Sequence, residues 1–368
     1  MNHRQLALAL RQEIERALPG AESLTVKRWF CRLCAVRYLK ANRLLPDTVP
    51  QIPLFAGCRA LLPEMLAPAL ALLETMPDAE WQGNPELCGW LYQYANLPER
   101  ETALRGVRRH EKIALEHVPA ATQLFTPDWI VHYMVENSLG RLWLEGHPND
   151  ALKSEWKYYL DEAEQEPDVQ AQLDEIRKEY AALKPEEIRV IDPCSGSGHI
   201  LCVLFDVLVR IYEDYGYTAR EAATSIIENN LWGLDIDERA AQLSYFAVMM
   251  KARQYDRRFF TRKVQPHVYA IQESNGIDPG CVEYFVDGRL ELKSAMATLI
   301  KEMHDAKEYG SIINVTPVDF DALYARFEEI RNTAVPDIYS YQAMDVLLPL
   351  VQVAQALAQK YHAVVTNP

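Results

Sequence analysis

A short apolar strand that runs directly into a glycine-containing loop constrains this chain more than any other feature. The segment reads Val190-Ile191-Asp192-Pro193-Cys194-Ser195-Gly196-Ser197-Gly198-His199-Ile200-Leu201. Its strand ends in an acidic residue, its glycines allow backbone conformations that a side chain would forbid, and a helix is predicted to begin at His199. The first turn of such a helix offers unpaired N–H groups to a ligand. This arrangement is typical of nucleotide-binding sheets, where the ligand lies outside the carboxyl ends of the strands.

The chemistry of this loop favours a cationic ligand over a dinucleotide. A dinucleotide-binding turn carries a third glycine in the spacing G-x-G-x-x-G, and Leu201 stands at that position. The carboxylate of Asp192 would also repel a pyrophosphate. S-adenosylmethionine carries an ammonium and a sulfonium group and no phosphate, so the sequence predicts this cofactor.

Two later motifs follow predicted strands of the same sheet. The first is Leu231-Trp232-Gly233-Leu234-Asp235-Ile236-Asp237, in which Asp235 is placed to accept hydrogen bonds from ribose hydroxyls and Asp237 is a candidate helix cap. The alternative is that both aspartates are plain N-terminal caps. The second motif is Asn367-Pro368, which follows the strand Ala363-Val364-Val365. Alone it is a turn signal, and it gains meaning from the two motifs before it.

The order of the predicted elements indicates an α/β fold. Strands are predicted at Arg189–Asp192, Leu231–Ile236, Val268–Gln272 and Ala363–Thr366, with helices at about His199–Tyr215 and Glu238–Arg253. Residues 1–118 show helical spacing and are predicted to form an N-terminal domain. Residues 119–368 are predicted to form an incomplete, Rossmann-like (doubly wound) methyltransferase domain with helical insertions at about 150–187 and 280–360. Its first helix is expected to have Thr126 as N-cap and Pro127 at the first helical position.

Composition limits the partners and the compartment. The net charge of −14 argues against a protein that coats nucleic acid, although a local basic groove is compatible with it. A cluster of arginines and lysines at 251–263, mixed with aromatic residues, fits either nucleic-acid contact or a solvated helix end with a small core anchor. Cys31 and Cys34 lie in an apolar helical pattern and are interpreted as buried structural thiols. Without a signal peptide or an apolar span, the sequence predicts a cytoplasmic protein that makes no membrane contact.

The combined motifs resemble the N6-adenine DNA methyltransferases of the gamma class. That class has a helix motif, a cofactor loop, a ribose acid and then Asn-Pro-Pro-Tyr, in this order along the chain. The matching residues are Thr126-Pro127, Asp192 to Gly198, Gly233 to Asp237 and Asn367-Pro368. More narrowly, Trp29-Phe30, Val36-Arg37-Tyr38-Leu39 and Ala270-Ile271-Gln272-Glu273-Ser274-Asn275 resemble the methyltransferase of bacteriophage exclusion (BREX) systems.

This resemblance implies a role for each matched position. Thr126 and Pro127 would contact the methionine end of S-adenosylmethionine. The loop would line its amino-acid portion through Asp192, Cys194, Gly196 and Gly198. Its ribose and adenine would be bound by Asp235 and Ile236, with Glu273 or Ser274 also reaching the adenine. In the family, the Asn side-chain oxygen and the Pro carbonyl accept hydrogen bonds from the amine of the target base, and Asn367 and Pro368 fill these positions.

The predicted function is therefore site-specific adenine-N6 methylation of double-stranded DNA in phage defence or restriction-modification, with other phage-defence proteins as further partners. No metal and no covalent nucleophile is expected, and His199 is interpreted as a helix-start residue near the cofactor. The family motif continues with a second proline and an aromatic residue that stacks on the flipped base, whereas this sequence stops at Pro368. We expect a portion of a longer enzyme that is inactive alone. The alternatives are a protein glutamine methyltransferase and a non-catalytic module that binds cofactor or partner proteins.

Overall fold

The computed structural model of the chain describes residues 1–44, 52–56, 63–108, 118 and 126–368. Residue 119, where the second predicted domain begins, lies outside the described residues. The described part of the N-terminal region is helical, as its apolar spacing predicts. Its helices are α1 (His3–Ala17), α2 (Ser23–Ala41), α3 (Ala67–Glu74), α4 (Asp78–Trp81) and α5 (Leu87–Arg108), with short 3₁₀ helices at Pro53–Phe55 and Glu64–Leu66.

Helix α2 is the most deeply buried helix of this N-terminal region. Its buried residues include two arginines whose guanidinium groups donate to backbone carbonyls: Arg32 to Leu54 at 2.8 Å and Arg37 to Met76 at 2.9 Å. These bonds satisfy the charged donors that burial would otherwise leave without partners. Cys31 and Cys34 are also buried on α2, which confirms their interpretation as structural thiols.

Four strands form the sheet: β1 (Val190–Asp192), β2 (Leu231–Asp235), β3 (His267–Ala270) and β4 (Ala363–Val364), in the order β3-β2-β1-β4. Strand β1 pairs in parallel with β2 on one side and with β4 on the other. The predicted fourth strand is longer than the observed one, although the Val365 N–H still donates to the Ile191 carbonyl at 3.0 Å. Because the strand order reverses between β1 and β4, their carboxyl ends form the point at which open α/β sheets usually bind ligands.

Helices precede and connect the strands. Before the sheet come α6 (Asp128–Val135), a π-helical turn (Glu136–Gly140), α7 (Arg141–Gly146), α8 (Asp150–Glu155) and α9 (Pro167–Ala182). Helix α9 buries none of its residues. Between the strands lie α10 (His199–Tyr215), α11 (Ala219–Asn229) and α12 (Glu238–Tyr255). No helix in the described ranges combines the length and the apolar character that a bilayer crossing requires.

The chain divides into two compact units. The first comprises residues 1–233, 239–268 and 361–368, so the N-terminal helices share one unit with most of the sheet. Their separation as a domain ending at residue 118 therefore stays a prediction. The second unit comprises residues 234–238 and 269–360 and is mostly helical, as expected for the second insertion. Its helices are α13 (Pro279–Val286), α14 (Leu290–Glu302), α15 (Ala306–Tyr309), α16 (Phe320–Arg331), α17 (Ile338–Gln342) and α18 (Leu348–Ala358).

Candidate active site

The loop after β1 has the backbone geometry that its glycines predict. Gly196 and Gly198 have φ angles of 53° and 91°, in the left-handed region, and the Gly198 N–H donates to the Ser195 carbonyl at 2.8 Å. Gly198 is also the N-cap of α10. A Cβ atom at Gly198 would lie 2.9 Å from the Ser244 Cα atom on α12. Glycine is therefore required at position 198 both by its backbone angle and by the close approach of another helix.

Substituting Gly198 by alanine should lower the free energy of unfolding by about 3 kcal/mol, from left-handed strain together with the clash against α12. Gly20→Ala is a matched control, since Gly20 has a φ of 78° and a Cβ atom added there would meet no described atom within 4 Å other than those of its chain neighbours. It should lose only about 1 kcal/mol. Urea denaturation measures both values, and equal losses would show that the contact with Ser244 does not matter.

Asp192 is fully buried at the end of β1. Its Oδ1 atom accepts the Cys194 N–H at 3.1 Å, while Oδ2 has no hydrogen-bond partner in the described residues. Burial raises the pKa of this carboxyl to about 7. The Cys194 N–H and the nearby Thr366 hydroxyl, which lies outside hydrogen-bonding geometry, oppose the rise only in part. A buried carboxylate oxygen without a partner is suited to a ligand that brings a positive charge or hydrogen-bond donors.

A small pocket lies beside this carboxylate. It has a volume of about 40 Å³ and is lined by Asp192 and the following loop, by Thr126 and Asn367, and by Trp90 and Gln93 of α5. A water molecule occupies about 30 Å³ in the liquid, so this volume is of the order of one small chemical group. The pocket brings together five of the predicted residues of the first compact unit and adds two side chains of α5: the five are Thr126, Asp192, Cys194, Gly196 and Asn367. Pro127, Gly198 and Pro368 do not line it.

Thr126 and Asn367 are joined by a hydrogen bond, in which the Asn367 Nδ2 donates to the Thr126 Oγ1 at 2.8 Å. The predicted N-cap role of Thr126 is wrong: α6 begins at Asp128, its N-cap is Pro127, and no side chain caps it. The amide nitrogen of Asn367 donates in this bond, and the amide oxygen is the acceptor of the same side chain. Pro368, the other predicted catalytic residue, is exposed beside it.

The other predicted cofactor residues lie in the second compact unit. Asp235 ends β2, and its Oδ1 atom accepts the Asp237 N–H at 2.8 Å, so part of its carboxylate stabilises a local turn. Ile236 is half-buried next to it. Ser274 is buried, and its hydroxyl donates to the Ile300 carbonyl at 2.6 Å. Glu273 is half-buried, and its carboxylate makes no hydrogen bond within the described part of the chain.

The basic cluster at 251–263 is tied into the fold by acidic residues. Lys251 is buried and its Nζ lies 2.7 Å from Asp206, while Asp256 lies 2.5 Å from Arg262. Phe259 and Phe260 are buried, and they lie between Asp256 and Arg262 in the sequence. These contacts fit the alternative of a helix end with a small core anchor, and nucleic-acid contact by the cluster stays a prediction.

Comparison with known proteins finds two relatives that cover most of the chain, and no protein-family model matches it. Adenine-specific methyltransferase BrxX of Escherichia coli O9:H4 (strain HS) is 42% identical over 320 residues, which are 81% of this chain and 26% of the relative. Adenine-specific methyltransferase PglX of Lacticaseibacillus casei (strain Zhang) is 37% identical over 308 residues, 79% of this chain and 24% of the relative.

These relatives confirm the predicted resemblance to an adenine-specific methyltransferase. The chain spans only about a quarter of the length of each relative. Over the aligned four-fifths of its residues, this chain is therefore a homologue of the adenine-specific methyltransferases named BrxX and PglX.

Proposed function

We propose that this chain carries the S-adenosylmethionine site and the catalytic amide of a DNA adenine-N6 methyltransferase that acts in phage defence or restriction-modification. The observation that carries the proposal is one pocket at the carboxyl ends of β1 and β4. It holds the side-chain amide of Asn367 and a buried carboxylate oxygen of Asp192 that has no hydrogen-bond partner among the described residues. The names of the two relatives support adenine as the target, and DNA is proposed from the family resemblance.

The residues around the pocket fit the charge of the proposed cofactor. S-adenosylmethionine, when bound, supplies an electrophilic methyl group on a sulfonium. Asp192 would stabilise the positive charge of this ligand, and its Oδ2 atom would gain a partner that no described residue supplies. Gly196 of the loop leaves room for close approach, because no described atom beyond its chain neighbours lies within 4 Å of a Cβ position there. Thr126, Pro127 and Cys194 are proposed to complete this part of the site.

The remaining cofactor contacts are proposed from the family resemblance. Asp235 would accept hydrogen bonds from the ribose hydroxyls, and Ile236 would pack on the adenine. Glu273 is the better candidate for the adenine contact than Ser274, since the Ser274 hydroxyl already donates to the Ile300 carbonyl.

Asn367 and Pro368 would act on the target base. Two acceptors, the Asn367 side-chain oxygen and the Pro368 carbonyl, would bind the hydrogens of the adenine amine and so aim its nitrogen lone pair at the methyl group. The hydrogen bond from Asn367 to Thr126 favours this orientation, because it commits the amide nitrogen and leaves the amide oxygen for the base. The residues thus contribute positioning, and no residue of the pocket has to form a covalent bond with the substrate.

Titration calorimetry with S-adenosylmethionine tests the cofactor assignment. The chain should bind it saturably, and Asp235→Ala should weaken binding by about 30-fold, the loss of two hydrogen bonds to a charged acceptor. Asp237→Ala is the matched control, because its carboxylate follows the same strand but has no proposed ligand role, and it should change the affinity by less than about 3-fold. A folded chain that does not bind would overturn the proposal, and equal binding by Asp235→Ala would remove Asp235 from the site.

A further inference from the structure

We propose that helix α5 forms one wall of the cofactor site, with the Trp90 ring recognising the sulfonium cation and the Gln93 amide recognising the carboxylate of the ligand. The proposal rests on the proposed function and extends it to residues that lie far from every motif of the sequence. It makes the N-terminal helical region a part of cofactor recognition.

The backbone of α5 touches the cofactor loop directly at Gly89. A Cβ atom at Gly89 would lie 1.9 Å from the Ser197 Oγ atom, so only glycine allows the helix this close to the loop. Trp90 follows Gly89 immediately, and Gln93 lies one helical turn further, on the same side of the helix as Trp90. Both side chains line the pocket that contains Asp192 and Asn367.

The start of α5 is fixed in place by charged and aromatic contacts. Glu86, the residue before α5, lies 3.7 Å from the Nζ of the buried Lys251, which also binds Asp206 at 2.7 Å. The ring of Trp90 meets the ring of His199 in an edge-to-face contact, with centroids 5.9 Å apart. All of these residues belong to the first compact unit. The wall is therefore a fixed surface that a ligand meets already in place, which favours binding.

The chemistry of this wall suits an organic cation that carries a carboxylate. Tryptophan presents the most favourable aromatic face for a cation, and the Asp192 carboxylate in the same pocket favours the same charge. Because Asn367 also lines the pocket, the cation next to it should be the one that carries the transferable methyl group, which is the sulfonium. Gln93 can donate to a carboxylate without adding a charge of its own.

The experiment compares S-adenosylmethionine with S-adenosylhomocysteine, which has the same carboxylate and ammonium but no sulfonium charge. Titration calorimetry on the whole chain should show that Trp90→Leu weakens S-adenosylmethionine by about 10-fold and S-adenosylhomocysteine by less than about 3-fold. Trp90→Phe keeps an aromatic face and should retain most of the preference. Trp129→Leu is the matched control, because this exposed tryptophan does not line the pocket, and it should change neither affinity.

The Gln93 assignment has a different signature. Gln93→Glu places a negative charge opposite the carboxylate that both ligands share, so it should weaken both by a similar factor, about 10-fold. Equal losses for both ligands in Trp90→Leu, or no loss, would overturn the sulfonium assignment while the proposed function stands. A folded wild-type chain that binds neither ligand would overturn both proposals. Thermal unfolding of each variant separates loss of binding from loss of folding.

Discussion

Replacing Asp192 by asparagine should weaken S-adenosylmethionine binding by about 100-fold and make the free chain more stable. Removing one partner of a buried charge pair commonly costs about 2–5 kcal/mol in binding, and 100-fold corresponds to about 2.7 kcal/mol. Without ligand, the same carboxylate is buried and one of its oxygens has no partner within the described ranges of the chain, so neutralising it removes a desolvation penalty. We expect a gain in the free energy of unfolding of about 1–3 kcal/mol at pH 8, a trade of stability for binding that a purely structural aspartate would not show.

The pH dependence of both quantities follows from the raised pKa of Asp192. Its carboxyl has a folded-state pKa of about 7 against an unfolded value of about 3.9. In the folded state the Asp192 carboxyl therefore stays protonated to a higher pH than in the unfolded state. The free energy of unfolding should fall as pH rises from about 4 to about 7 and then level off. Cofactor binding needs the ionised carboxylate, so affinity should fall by up to about 10-fold for each pH unit below 7.

Calorimetry between pH 5.5 and 8.5 and urea denaturation over the same range measure these slopes in the chain and in Asp192→Asn. The variant serves as the control for every other group that titrates near the pocket, because its profiles should lose only the contribution of Asp192. A wild-type affinity that does not change with pH, or an Asp192→Asn variant that still binds tightly, would contradict an ionised Asp192 at the ligand.

The elements whose signals are local could be predicted from the sequence. Helix α10 has the predicted bounds, His199–Tyr215, because a glycine in the left-handed conformation stands at each end, Gly198 and Gly216. Strand β1 and the loop after it were likewise predictable from an apolar run that ends in an acid and glycines. Helix α11 was not predicted, although Thr218 and Glu221 form a capping box that marks its start.

Contacts between distant segments could not be read from the sequence. Trp90 and Gln93 sit within an ordinary helical pattern, and only the tertiary structure places them beside the loop after β1. The hydroxyl of Thr126 accepts from Asn367, which follows it by 241 positions, rather than capping the helix next to it. A local capping rule failed there because a long-range hydrogen bond had a better donor for the same oxygen.

Replacing Asn367 by alanine should lower the rate of methyl transfer by about 1,000-fold while changing S-adenosylmethionine affinity by less than about 3-fold. The proposed role of this amide is to accept a hydrogen bond from the adenine amine, and loss of one positioned hydrogen-bonding group in an active site reduces rates by about 100- to 1,000-fold. The alanine also removes the donor to Thr126 at 2.8 Å, so the loss should reach the upper end of that range. The effect is measured as transfer of a tritiated methyl group to duplex DNA, with the protein produced from its whole gene.

Thr126 variants test whether the rate of methyl transfer depends on the orientation of the Asn367 amide as well as on its presence. Thr126→Ser keeps a hydroxyl oxygen that can accept from the Asn367 Nδ2 and should retain most of the rate, whereas Thr126→Val removes the acceptor and lets the amide turn. The valine variant should transfer methyl groups about 10-fold more slowly, less than Asn367→Ala because the amide is still present. An Asn367→Ala protein that methylates at more than about a tenth of the wild-type rate would show that the catalytic acceptor lies elsewhere. Because Asp192→Asn should weaken cofactor binding and Asn367→Ala should spare it, the two variants divide the pocket into a part that holds the methyl donor and a part that aims the base.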